Sequence, residues 1–185
     1  MCIRDRSFSV LFYGSLMWYL KRSEDAWVYF QSGSDLGVIF GLGVITSGPI
    51  WASAEWGRPW DWGDMRLNSF ALLTAVALFL VYSRQSQPDT QQNRDTLSAV
   101  GLFGFALVPI TAGATTWWET THPEVLIIES SETLGMSPDI RSFLLISFGL
   151  MCILFTGLLI LSNKRYRLAA KVYSKKNELD QEAIS

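Results

Sequence analysis

Apolar residues gather into five stretches, Ser7–Leu20, Leu36–Ala52, Leu67–Tyr82, Leu97–Thr116 and Ser142–Leu161, with short polar segments between them. A helix that crosses ~30 Å of hydrocarbon needs ~20 residues, with ~17 as a lower bound. The last two stretches meet that length. The second and third sit near the lower bound and can borrow flanking residues, and the first is short. No alternating strand pattern is present, and in lipid a helix satisfies its own backbone donors and acceptors. The pattern therefore predicts an all-α, polytopic membrane helical bundle with about five transmembrane helices.

Five crossings alternate the connecting segments between two sides. One side holds 21–35, 83–96 and the tail 162–185, with Lys21, Arg22, Arg84, Arg94, Lys164, Arg165, Arg167, Lys171, Lys175 and Lys176. The other holds 53–66 and 117–141, with Arg58, Arg66 and Arg141 as its only basic residues. Basic residues near span ends stay in the cytoplasm, so the first side is expected inside and the second outside. The segment "SRQSQPDTQQNRD" reads as a flexible connector without chemistry. Residues 163–185 read as a cytoplasmic basic tail, a helix end that frays.

Composition agrees with a membrane protein: 49% of the 185 residues are hydrophobic and 17% charged. The net charge of −2 adds little, because the signs are segregated along the chain. Cys2 and Cys152 form no CxxC pair, so neither a disulfide framework nor a cysteine metal site is expected. No small-residue cleavage site precedes "KRSED", so a signal peptide is not expected. The opening "MCIRDR" reads as a non-native start to a truncated gene, and residues 7–162 as the transmembrane domain.

Two outer segments carry the candidate chemistry. In "WASAEWGRPWDWGDMRL", Trp51, Trp56, Trp60 and Trp62 fall within twelve residues, and Gly57, Pro59 and Gly63 interrupt helical continuation. Tryptophan commonly anchors membrane edges. A loop broken by such turn residues cannot hold all its rings on one lipid-facing stripe. Some rings must face protein or a ligand, and an aromatic shelf suits a large, planar, apolar molecule. The second segment, "TTWWETTHP", places Trp117 and Trp118 just before His122, the sole histidine. One imidazole can ligate heme iron, whereas a zinc site usually needs three or four protein ligands. Arg58 and Arg66 suit the two propionates of a heme, since arginine pairs with carboxylates through two parallel hydrogen bonds. Asp64 can cap a helix beginning near Arg66, and Arg58 can pair with Glu55.

"WGRPWDWGDMRL" resembles the tryptophan-rich WWD signature, roughly WGxxWxWD followed by xRL, of heme-handling membrane proteins in cytochrome c maturation. Trp56, Gly57, Trp60 and Trp62 match its first part, and Asp64, Arg66 and Leu67 its second, with Gly63 as an extra residue. Trp51 matches a preceding tryptophan. "WWETTHP" resembles the segment that carries an axial heme histidine, here His122. Among these proteins the chain is most similar to the heme exporter protein C family. That family usually has six spans and two external histidines. The first span and first histidine have no counterpart here.

The resemblance implies a heme-delivery component of the cytoplasmic membrane, with heme b as the bound group, and not a conventional enzyme. It implies a heme chaperone (the E protein), ABC-type transporter subunits (the A and B proteins) and a small D peptide as partners, within membrane lipid and without nucleic acid. Three other readings stand beside it. One is a structural subunit whose tryptophans only anchor and pack. Another is a transporter component, although the apolar stretches lack the mid-span charges usual in an ion pathway. The third is a heme-dependent quinone or electron-transfer role, which usually needs histidine pairs within the spans, and the sequence has none. Trp27, on the inner side, is expected to be indifferent to heme.

Overall fold

The computed structural model describes residues 2–117 and 138–182. Those residues form five helices: α1 (Cys2–Lys21), α2 (Glu24–Trp56), α3 (Met65–Ser86), α4 (Gln91–Trp117) and α5 (Pro138–Glu182). The architecture is an all-α bundle. Segments of α2 (Glu24–Glu55), α3 (Leu67–Ser86) and α5 (Arg141–Glu182) are long and apolar enough to cross a membrane.

Helices α1 to α4 form a ring in which each packs on the next and α4 closes back onto α1; α5 lies outside, mainly against α2. Phe8, Leu11, Trp18, Trp27, Phe30, Leu73, Ala77, Leu80 and Leu97 fill the centre. Glycines set the spacing. A Cβ on Gly14 would lie 2.3 Å from the Phe30 amide nitrogen, and one on Gly33 would lie 2.5 Å from that of Leu11. The α1 and α2 backbones therefore touch, as in small-residue packing between membrane helices. Trp27 stacks on Phe30 at 4.5 Å, with ring planes 6° apart, and Trp18 stands 5.6 Å from Trp27. Trp27 is thus a core residue, and its loss would disturb folding. It cannot serve as a neutral comparison for heme binding.

One end of the bundle is closed by ion pairs. The segment 21–35, expected as a connector, is helical except for Arg22 and Ser23. Arg22 turns the chain with φ 50°. Ser23 caps α2 by accepting from the Ala26 amide at 3.2 Å, and Glu24 and Asp25 favour the positive end of that helix. The expected flexible connector 83–96 is likewise largely helical and chemically engaged. Arg94 donates to both oxygens of Asp89 at 2.6 Å and to Glu24 at 2.7 Å. Its guanidinium lies 5.1 Å from the Trp18 ring and 5.0 Å from Trp27. The Asp89 hydrogen bonds, opposed by desolvation, hold Arg94 above its ordinary basicity. Asp95 accepts from the Trp18 indole at 2.8 Å and pairs with Arg22. Alongside, Asp35 accepts from Arg84 at 2.8 Å and from the Tyr166 hydroxyl at 2.5 Å, tying α2, α3 and α5 together.

These contacts place the starts of α2 and α4 and the end of α3 together. The loop after α2 and the end of α4 therefore share the opposite end. Tyr166 sits beside Asp35, so α5 also begins at that opposite end.

Gly14→Ala is expected to lower the thermal midpoint in detergent, by roughly 1–3 kcal/mol of overpacking. Gly43→Ala meets nothing within 4 Å and should be neutral or slightly stabilising through its helix propensity. Arg94→Lys keeps the charge but loses the two-pronged Asp89 contact; a loss of about 1–2 kcal/mol in the same melt is expected.

Candidate functional site

The tryptophan-rich loop lies where α2 hands over to α3. α2 ends because Gly57 enters the left-handed region, φ 71°, and its amide donates to the Ser53 carbonyl at 3.1 Å. Glycine takes that conformation without a Cβ penalty. Asp61 then organises the turn. Its carboxylate accepts from the Gly63 amide at 2.9 Å, and its carbonyl accepts from the Asp64 amide at 3.2 Å. The extra residue of the signature, Gly63, is therefore held inside an aspartate turn. Asp64 caps α3 as expected: its carboxylate accepts from the Leu67 amide at 3.3 Å, and it is only 6% exposed. Asn68, which belongs to no motif, reaches back and donates to the Trp62 carbonyl at 2.8 Å. Arg58 pairs with Asp61 at 3.4 Å rather than with Glu55.

The rings do not form one stripe. Trp62 is 82% exposed and Trp51 about half exposed, whereas Trp60 turns inward. The Trp60 and Trp62 rings stand 5.7 Å apart at 60°. Trp60, Trp51 and Pro59 wall a groove of about 110 Å³, and Val44, Leu67 and Phe70 complete its apolar sides. Arg58, Asp61 and Asp64 form its polar rim. Gly48 also lines it, and a Cβ there would meet nothing within 4 Å, so a ligand can approach the α2 backbone closely. The enclosed volume is well below the ~300–1,000 Å³ of pockets that surround a whole drug-sized ligand. The groove can hold one edge of a planar molecule whose remainder lies on exposed rings.

Two buried side-chain atoms of this region, the Trp60 indole N–H and Asn68 Oδ1, have no hydrogen-bond partner among the described residues. A buried donor without a partner costs on the order of 1–3 kcal/mol. The apolar walls and the Arg58 guanidinium on the rim suit one edge of a planar, carboxylate-bearing macrocycle.

Trp56 and Arg66 occupy the last residue of α2 and the second of α3, and Trp117 closes α4. The placement of those three side chains, and of Trp118 and His122 altogether, falls outside the described residues. The end of α4 and the start of α5 both lie at the tryptophan-loop end. The groove walls contributed by Val44, Gly48 and Phe70 carry no chemical motif; only their helical phase relative to Trp51 and Trp60 could have pointed to them.

The family model described as heme exporter protein C matches residues 3–180. Heme exporter protein C of Bradyrhizobium diazoefficiens is 28% identical over 152 residues, covering 82% of this chain and 54% of that protein. A putative cytochrome c biosynthesis ccmC-like mitochondrial protein of Marchantia polymorpha is 26% identical over 153 residues, 80% of this chain and 64% of that one. Heme exporter protein C of Paracoccus denitrificans is 23% identical over 160 residues, 84% of this chain and 66% of that one. The chain thus spans between half and two thirds of the length of these relatives. With a match that runs nearly end to end over a bundle bearing the tryptophan groove, the chain belongs to the heme exporter protein C family of cytochrome c maturation, whose members handle heme and are not classical enzymes.

Proposed function

We propose that this chain holds heme b on the outer face of the cytoplasmic membrane and presents it to the heme chaperone of cytochrome c maturation. The observation that carries this reading is the groove at the α2–α3 junction, where Trp51 and the inward Trp60 frame an apolar cleft rimmed by Arg58, Asp61 and Asp64. Trp51, Trp60 and Trp62 would cover a porphyrin face, at roughly 25 cal/mol per Å² of apolar surface removed from water. Gly57 sets the loop's departure from α2. Trp56, Trp117 and Trp118 would extend the aromatic surface, and Asp64 fixes the start of α3.

His122 would supply the axial iron ligand, and Arg58 and Arg66 would face the propionates. Arg58 is available for that role because its 3.4 Å pair with Asp61 is exposed, and such pairs are weak. Bound heme supplies no chemistry to this chain beyond coordination; the protein's part is to hold it with one edge accessible.

The topology in this proposal has five spans, with the groove and the His122 loop outside. Residues 7–162 form the heme-handling domain and 163–185 the cytoplasmic tail. Support comes from the charge sidedness: Arg22, Arg84, Arg94 and Arg165 all cluster at the end away from the tryptophan loop. The E-type chaperone would receive heme at the outer face, and the ABC-type A and B subunits and the small D peptide would be membrane companions.

The visible spectrum of detergent-purified protein supplied with heme tests the reading. A Soret band is expected, and His122→Ala should shift or remove it; an unchanged band sinks the ligand assignment. Trp60→Ala with Trp62→Ala should weaken heme retention by on the order of tenfold or more, because two rings would no longer cover the porphyrin. The exposed Tyr82, near the other end of α3, provides the comparison in place of Trp27, and Tyr82→Ala should leave retention unchanged.

A further inference from the structure

The last twenty residues of α5 carry a feature that heme handling does not use. Apolar Ser142–Leu161 is long enough for one crossing, yet the helix runs on without a break to Glu182. At 1.5 Å per residue the extension adds about 30 Å. The polar layer of a bilayer is about 5–8 Å thick on each side, so most of this extension stands in water.

Its surface is patterned. Leu168, Val172, Lys175 and Leu179 follow a 4-3-4 spacing, the seam spacing of paired helices. Leu168 is 63% exposed, Val172 61% and Leu179 53%. The seam lies on the helix face opposite Tyr166, whose hydroxyl anchors α5 to the bundle through Asp35. By helical phase, Lys164 and Lys171 flank the seam on one side and Arg165 and Lys176 on the other. Lys175, within the seam, is held by Glu178 at 2.9 Å, an exposed pair that an incoming carboxylate could replace.

We propose that this seam docks a helix of an acidic partner protein on the aqueous side, with leucine-type residues facing Leu168, Val172 and Leu179 and carboxylates facing Lys171, Lys175 and Lys176. Charge complementarity selects that occupant. A second copy anchored in the same membrane would present its helix in parallel, setting Lys175 against its own counterpart and Lys171 against Lys176 of the other copy. The bilayer is out of reach of Leu179 while α5 stays continuous. The proposal stands whether or not the groove takes heme.

The test is site-specific photocrosslinking of the full chain in its own host. A photoreactive residue replaces Leu168, Val172 or Leu179, with Tyr173, off the seam, as the comparison. The expected result is one discrete adduct from each seam position and little from Tyr173, with the crosslinked peptide net acidic by mass spectrometry. Combining Lys171→Glu, Lys175→Glu and Lys176→Glu should cut adduct yield on the order of tenfold. These positions are exposed, and an unchanged thermal midpoint shows that the variants fold. An adduct of twice the chain's mass, phospholipid adducts, a basic peptide, equal yield from Tyr173, or no adduct at any seam position would each overturn the proposal.

Discussion

The rest of the bundle depends on the contact between the α1 and α2 backbones. Gly14 lies against the Phe30 amide and Gly33 against Leu11, at separations no side chain could occupy. That approach presses Trp18, Trp27 and Phe30 into one aromatic core and fixes where α4 can close the ring. Lipid gives apolar helices little reason to associate, since its tails are as apolar as leucine. Shape complementarity and buried polar contacts must supply the specificity.

The two ends of the bundle solve different problems. At one end, Arg94, Asp89, Glu24 and Asp95 lock the helix starts through hydrogen-bonded charges laid over Trp18 and Trp27. At the other end the described residues hold the loop by turn chemistry: the left-handed Gly57, the Asp61 turn and the Asp64 cap. Among the described residues, exposed Trp62 beside half-buried Trp60 leaves the groove open, which suits the proposed holding of a large planar molecule. The rigid end gives the open end a fixed frame.

Much of this is legible in the residues. Apolar run lengths point to the helices, the tryptophan spacing marks the loop, and Gly57 and Pro59 argue that its rings cannot all face lipid. Asp64 is readable as a cap because an acidic residue precedes a helical run. The partners of charges far apart in sequence are illegible. Arg94 reads as part of a flexible polar linker, and Trp27 only as a ring on the inner side that heme binding would not need. Nothing local to "QQNRD" or "EDAWV" says that Arg94 will lie over Trp27, because that contact spans α2 and α4.

The sequence by itself determined that the chain is helical, apolar and membrane-adapted, and that tryptophans concentrate at one helix junction, because hydrophobic period and turn residues act over a few positions. Only the tertiary structure decided which tryptophans are core and which face a groove. It also decided that Arg58 meets Asp61, that Trp60 keeps a buried donor without an acceptor among the described residues, and that α5 packs on the outside of the ring against α2. Those outcomes turn on the packing of helices tens of residues apart. A one-residue difference in helical phase, about 100°, moves a side chain from one face to another.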